Sequence, residues 1–327
     1  MRVWYLVPEY STPSWGVGML YGHVDLLCRG GFDAVAVQSR NDYRPAWLET
    51  DVPIVGSDQF DPGRNDLVVV PEVMADDPRI VDLEATRVLF VQGSFVLVAR
   101  LEAAVSARQR GFTRAIAILP HVADAVRQLC DLPVDLVPPY VAPYFSVDEE
   151  RLDEPRPRRL TIYAKPDIRE YPVALELLRL AQEGRLPGLV SPQAVPTVAS
   201  WEIVELSDHR HHEVAEILQN TELFINLNCW EAFNTTVPEA MAAGAVPICF
   251  EAYGGRDFLR DGDNAFVFPN NSLLPLIERA LELMAMPDGE RRTRLAQVRR
   301  GGWQTARTYN PEATARALRS LVARWSG

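Results

Sequence analysis

Two glutamates, Glu231 and Glu239, stand with seven residues between them in NCWEAFNTTVPEAMAAGAVPI, residues 228–248. The run before them, ELFINLNC, is apolar enough to be a buried parallel strand, so Glu231 emerges at a strand's carboxyl end. Thr236, Pro238 and Glu239 then read as the N-cap, early-turn proline and N3 partner of a T-x-x-E capping box, and Gly244 stops the helix. Such a helix start presents unpaired N–H groups and the positive end of a dipole, which suits a phosphate or diphosphate. A carboxylate beside it accepts hydrogen bonds from sugar hydroxyls. Each glutamate alone reads equally well as a cap or a solvated loop acid; the strand before, the stop after and the spacing argue for a joint site.

These residues need a scaffold. At 327 residues the chain is about twice the ~150 residues of a common domain. Apolar runs alternate with longer amphipathic stretches: RVWYLV, DAVAVQS, DLVVV, RVLFV and RAIAIL in the first part, LTIYA, WEIVEL, ELFINLNC and AVPICF in the second. That alternation predicts an α/β fold with parallel sheets covered by helices on both faces. The stretch 148–159, DEERLDEPRPRR, is charged and proline-containing and reads as a linker. The expected division is therefore 1–150, 151–308, and a last helix at 309–327 returning to the first domain. Two parallel sheets joined in this way bind ligands at the carboxyl ends of their strands.

E-A-F-N-T-T-V-P-E-A-M-A-A-G-A-V-P-I resembles the E-x7-E signature of retaining GT-B glycosyltransferases of family 4, and GGRDFLRDGDNAFVF is similar to the segment that follows it there, with Asp257 at the acidic position. The match is at motif level over residues 222–268 and at the level of architecture elsewhere. VQGSF and YAKPDIR look somewhat like the bacterial rhamnosyltransferase branch. The resemblance implies a GT-B fold and metal-independent transfer, without a cofactor, from a nucleotide-sugar donor to the hydroxyl of a saccharide, lipid-linked or small-molecule acceptor held mainly by the first domain. It implies that Glu231 contacts the donor sugar, that the amides of Phe233, Asn234, Thr235 and Thr236 meet its hydroxyls and distal phosphate, and that Glu239 takes the ribose. Lys165 and Arg169, in LTIYAKPDIREYP, occupy the place of the basic pair that neutralises the leaving diphosphate. Gly16 and Gly18, after the first strand, lie where the family approaches the donor.

The chain departs from the family at several positions. Ala232 and Asn234 stand where glycines are usual, and Glu72 and Gln92 end two central strands of the first domain where histidines often stand. His121 is the nearest substitute. Gly16-Val17-Gly18 lacks the third glycine of a dinucleotide loop. His209, His211 and His212, beside Asp208, form an H-x-H-H cluster at a helix start, where neighbouring side chains diverge too much for a metal site.

Composition narrows the function further. Thirty-three basic against 44 acidic residues give −11 and a pI near 5.1, which argues against a broad grip on nucleic acid; peripheral membrane contact stays open. The arginine run Arg291, Arg292, Arg294, Arg299 and Arg300 reads as a solvated helix face. Cys28, Cys130, Cys229 and Cys249 are widely spaced in apolar runs and read as buried, reduced thiols. With an opening apolar run too short for a signal or a span, the expected location is cytoplasmic. Two other readings stay open: an epimerase or phosphorylase on the same fold, and a nucleotide-sugar-binding scaffold that has lost catalysis.

Overall fold

The structure, a computed structural model, describes residues 1–41, 43–165, 167–207 and 209–325. It divides into two compact units, Met1–Tyr140 with Tyr309–Gly327, and Val141–Thr308.

The first unit is built on β1 (Val3–Leu6), α1 (Trp15–Arg29), β2 (Ala34–Gln38), β3 (Ile54–Gly56), β4 (Leu67–Pro71), β5 (Thr86–Val91), α2 (Ser94–Ala99), α3 (Leu101–Val105), β6 (Phe112–Ala117), α4 (Pro120–Cys130) and β7 (Val134–Leu136). Its seven strands are parallel, in the order β3-β2-β1-β4-β5-β6-β7. Every residue of β1, β2 and β4 is buried, as expected of strands covered on both faces. Arg100 separates α2 from α3.

The second unit holds β8 (Arg159–Tyr163), α5 (Glu170–Gln182), α6 (Val195–Ala199), β9 (Glu202–Leu206), α7 (His211–Gln219), β10 (Leu223–Asn226), α8 (Thr236–Ala242), β11 (Val246–Phe250), α9 (Gly255–Phe258), β12 (Phe266–Phe268), α10 (Leu273–Ala285) and α11 (Asp288–Thr308). Its sheet, also parallel, has the order β12-β11-β10-β8-β9. The final helix, α12 (Pro311–Trp325), belongs to the first unit and packs on α1; Thr314 Oγ1 donates to the Pro138 carbonyl at 2.8 Å.

Two expectations are corrected here. The charged stretch 148–159 is no linker, because the second unit begins at Val141 and absorbs it. Arg156 reaches from that stretch to the carbonyls of Gln219 (3.2 Å), Thr221 (2.9 Å) and Ala243 (2.7 Å). Nor is the arginine run of α11 wholly solvated, since Arg291 and Arg299 are each only 2% exposed. Arg291 Nε donates to Glu222 Oε2 at 3.0 Å and Nη1 to the Met286 carbonyl at 2.9 Å. Arg299 Nε donates to the Gly244 carbonyl at 3.0 Å, and its Nη2 lies 3.6 Å from Glu222 Oε1.

Most of the carbonyls that take these arginines lie at helix C-termini, where the dipole is negative and backbone acceptors lack helical partners. Burial nevertheless pushes the Arg156 guanidinium down to about 10, helped by Arg299 and Arg151 nearby. Glu222 is the buried counter-charge. Replacing Glu222 with alanine is expected to destabilise the protein by about 3–5 kcal/mol, the cost of stripping one partner from a buried pair. Glu222→Gln should cost less, and the shift in denaturation midpoint measures both.

Candidate active site

Asn226 ends β10 and organises the loop that follows. Its Nδ2 donates to Asn234 Oδ1 at 3.0 Å and to Thr236 Oγ1 at 2.7 Å, while its Oδ1 accepts from the Asn228 amide at 2.8 Å. Asn234 Nδ2 donates on to the Asn228 carbonyl at 3.2 Å, and Asn228 Oδ1 accepts from the Trp230 amide at 3.0 Å. Asn234 has φ +51°, the left-handed region that asparagine tolerates best after glycine. The residue standing in place of a family glycine therefore holds a conformation glycine allows, and its amide locks the loop. A second close approach comes from Gly254, where a Cβ would lie 1.3 Å from the Ala232 carbonyl oxygen.

The capping box read from T-x-x-E does not form. Thr235, not Thr236, is the N-cap of α8, no side chain caps it, and the Thr236 hydroxyl is engaged by Asn226. Glu239 is buried, and its Oε1 lies 3.1 Å from His211 Nε2. His211 Nδ1 in turn lies 2.5 Å from the Tyr144 hydroxyl, whose ring stacks on His212 at 4.1 Å. Burial raises the Glu239 pKa, the hydrogen bond and charge of His211 oppose that rise, and the charge of Glu231 adds to it. Tyr163, at the end of β8, is pushed up by burial and then by the charges of Glu231 and Glu239.

In the order β12-β11-β10-β8-β9, the strand sequence reverses between β8 and β10, which is the crevice where open α/β sheets take ligands. Lys165 follows β8 and Glu231 follows β10. Lys165 Nζ lies 3.2 Å from Glu231 Oε1, with both side chains a little over one-third exposed. Lys165 is also the one lysine of a chain that otherwise uses arginine. Arg169 is exposed at the N-terminal end of α5 and makes no ion pair among the described residues. Phe233, Asn234 and Thr235 are buried in the loop between the two glutamates.

His211 was singled out in the sequence only for its place in a metal-like cluster. In the structure His211 meets both Glu239 and the Tyr144 hydroxyl, and His212 lies against the Tyr144 ring; Asp208 lies outside the described residues. The signal that finds His211 is the need of a buried carboxylate for a donor.

In the first unit the reversal falls between β1 and β4. Glu72, after β4, accepts from the amides of Gln92 (2.9 Å) and Gly93 (3.1 Å), and burial pushes its pKa up to about 7. Gln92 Nε2 donates to the Gly16 carbonyl at 3.0 Å. Gly16 and Gly18 are not in a turn but in the first turn of α1, capped by Ser14; nothing lies within 4 Å of a Cβ built at Gly18. His121 is half-buried in the first turn of α4, after β6.

Residues 204–300 match the family model for glycosyl transferases group 1. The match falls within the second unit. The whole chain is similar in fold to a sucrose-phosphate synthase from Thermosynechococcus elongatus, with a TM-score of 0.71, 11% identity and coverage of 99% of this chain and 98% of that one. A glycosyltransferase from Rickettsia africae gives a TM-score of 0.65 at 12% identity, covering 99% and 98%. Anabaena HepE, solved in complex with UDP-glucose, gives 0.70 at 11% identity, covering 99% and 100%. At these identities the likeness is one of fold, and the fold is GT-B. No curated protein sequence matches the chain.

The raised Glu72 pKa sets a pH dependence of stability in this protein. Between the ordinary carboxyl value of 4.5 and about 7, the folded state binds more protons than the unfolded one, so stability is full below 4.5 and falls as pH rises through about 7. Glu72→Gln, which keeps an acceptor for both amides, is expected to remove up to one proton's slope, about 1.4 kcal/mol per pH unit. Thermal midpoints of both proteins across pH 4 to 8 check this.

Proposed function

We propose that the second unit binds a nucleotide-sugar donor through an E-x7-E site and that the enzyme transfers the sugar to an acceptor hydroxyl with retention of configuration. The observation that carries this reading is that both glutamates are held by specific cationic or proton-donating partners. Glu231 meets Lys165 across the sheet's reversal point, and Glu239 is buried against His211. A solvated loop acid and a helix cap need neither.

In this reading Glu239, whose hydrogen bond with His211 opposes the rise in pKa caused by burial, accepts from the donor's ribose. Glu231 accepts from the sugar. The amides from Phe233 to Thr236 face the sugar hydroxyls and the distal phosphate, while those of Val237 and Glu239 already donate to the Asn234 and Thr235 carbonyls. Lys165 compensates Glu231 until negative charge grows on the departing diphosphate, where a compact, movable ammonium stabilises the transition state; Arg169 supplies a second cation from the same loop. The acceptor hydroxyl enters on the face the diphosphate leaves. No side chain is assigned as a covalent nucleophile.

UDP-sugars are the first donors to try, since HepE was solved with UDP-glucose; a nucleotide-activated rhamnose tests the branch suggested by VQGSF and YAKPDIR. Release of nucleoside diphosphate with a sugar acceptor present supports transfer, whereas epimer formation without release supports an epimerase. Glu231→Gln is expected to abolish turnover with the thermal midpoint unchanged, and wild-type turnover would sink the assignment.

Lys165→Ala should lower kcat by ~100-fold while the donor KM changes less, because its contribution grows in the transition state. If only the donor KM rises, Lys165 is an anchor and not a leaving-group partner. His211→Ala should weaken donor binding by ~10-fold, the worth of one charge-assisted hydrogen bond. Calorimetric titration with the nucleoside diphosphate measures that loss.

A further inference from the structure

A pocket of about 320 Å³ in the first unit plays no part in the site described above. Its polar walls come from Asp82, in the segment that returns from β4 to β5, from Arg87, the second residue of β5, and from Arg110 and Gly111, just before β6. Arg87 and Gly111 mark the amino ends of β5 and β6, opposite to the end at which Gln92 leaves β5. The register between the two strands slips here: Arg87 pairs with Phe112 but Val88 with Arg114, so β6 carries Thr113 as an extra residue. Such bulges re-aim side chains and gather beside functional sites. The volume falls at the small end of the ~300–1,000 Å³ range of small-molecule sites.

Two guanidiniums reach this pocket with bonding capacity unspent. Arg87 Nη1 donates to the Ile80 carbonyl at 2.8 Å, but its Nε is buried with no hydrogen-bond partner. Gly111, at φ +80°, makes room for that head, since a Cβ there would fall 2.1 Å from Arg87 Nη2. Arg110 donates through Nε to Ser106 Oγ at 2.9 Å, which leaves both of its Nη groups outside that bond. Neither arginine forms an ion pair among the described residues. Asp82 lines the same pocket and is likewise unpaired among them, whereas Asp77, also in its wall, is gripped by Arg79 through Nε at 3.0 Å and Nη2 at 2.7 Å.

We propose that this pocket binds a small hydroxy acid, a carboxylate with a hydroxyl beside it. The inference stands apart from the transfer reading. Guanidiniums hold a carboxylate through paired, charge-assisted N–H donors, and the Arg87 and Arg110 heads have such donors to give. The Asp82 carboxylate can only accept, so the ligand must bring it a proton donor. Two unpaired cations against one unpaired anion leave a single positive charge, which one carboxylate neutralises. Ile80 and Val81 line the pocket as well and cover a short carbon skeleton. Other ligands match less well. Inorganic phosphate would set charged oxygens against Asp82, and a neutral polyol would leave both guanidiniums without a counter-charge. An amino acid, neutral as a zwitterion, would leave the positive charge uncompensated.

The test titrates the full chain by calorimetry with lactate, and with alanine, acetate, glycerol and inorganic phosphate for comparison. We expect lactate to bind most tightly of the five. Arg110→Gln should weaken lactate binding by ~10-fold or more, the loss of about one hydrogen bond to a charged group, with the thermal midpoint unchanged because Arg110 makes only a local contact to Ser106. Arg87→Gln should weaken it as much, with a lower midpoint from the lost contact to the Ile80 carbonyl. Asp82→Gly, a residue suited to φ +64°, should leave lactate bound no better than acetate. Lactate binding that is absent in wild type, or equal in wild type and Arg110→Gln, overturns the proposal. Tighter binding of alanine, acetate, glycerol or phosphate than of lactate overturns it as well.

Discussion

The buried cluster of Arg156, Arg291 and Arg299 around Glu222 is the constraint on which the second unit is built. Arg291 and Arg299 pair with one buried carboxylate while Arg156 feels its charge, an arrangement that would be unstable were it only a salt bridge. It holds because most of the other donors end on backbone carbonyls after α7, after α8 and after α10, while Arg291 Nη2 ends on Asp288. Each such carbonyl lacks a helical partner and carries the negative end of its helix. The cluster therefore fixes the C-terminal ends of the two helices that bear His211 and Glu239. With those ends pinned, the opposite ends are free to be shaped for a ligand.

That division of labour explains the choice of cation at each place. Arginine is used where several fixed acceptors must be bridged, because its planar fork is already arranged for them. The chain's one lysine sits at Glu231, where a single compact charge on a flexible stem can change partner. The loop between them needs no charge. Asn226, Asn228 and Asn234 tie it to the end of β10 with neutral amides, whose donors and acceptors match in both directions. Gly254, pressed against the Ala232 carbonyl, fixes the other side of the same loop.

Much of the fold was legible in the sequence, because strands buried on both faces read as continuous apolar runs and the intervening helices carry their own periodicity. β3 escaped notice because three residues with one buried position give no pattern. The interactions that escaped were those between distant residues. Arg291 and Glu222 are 69 positions apart, and a run of arginines on a helix looks solvated until its partner is known. The same reason undid the capping box, since Thr236 and Glu239 are each taken by a partner local spacing cannot show, Asn226 and His211. The glutamate pair itself was readable, because the strand, the loop and the short helix that place it are contiguous.

Glu72 and Glu239 show how one problem is solved in two ways. Each is a carboxylate buried at the ligand-binding end of a parallel sheet, and burial raises the pKa of each. Glu72 is met by backbone amides, which lower its pKa only enough to leave it near 7, so it exchanges its proton close to neutrality. Glu239 is met by an imidazole that is itself hydrogen-bonded to Tyr144. In both, the hydrogen-bonding partners oppose the rise that burial causes, amides at Glu72 and an imidazole at Glu239. Glu72 thereby braces the turn from β5 into α2, and Glu239 ties α8 to the start of α7.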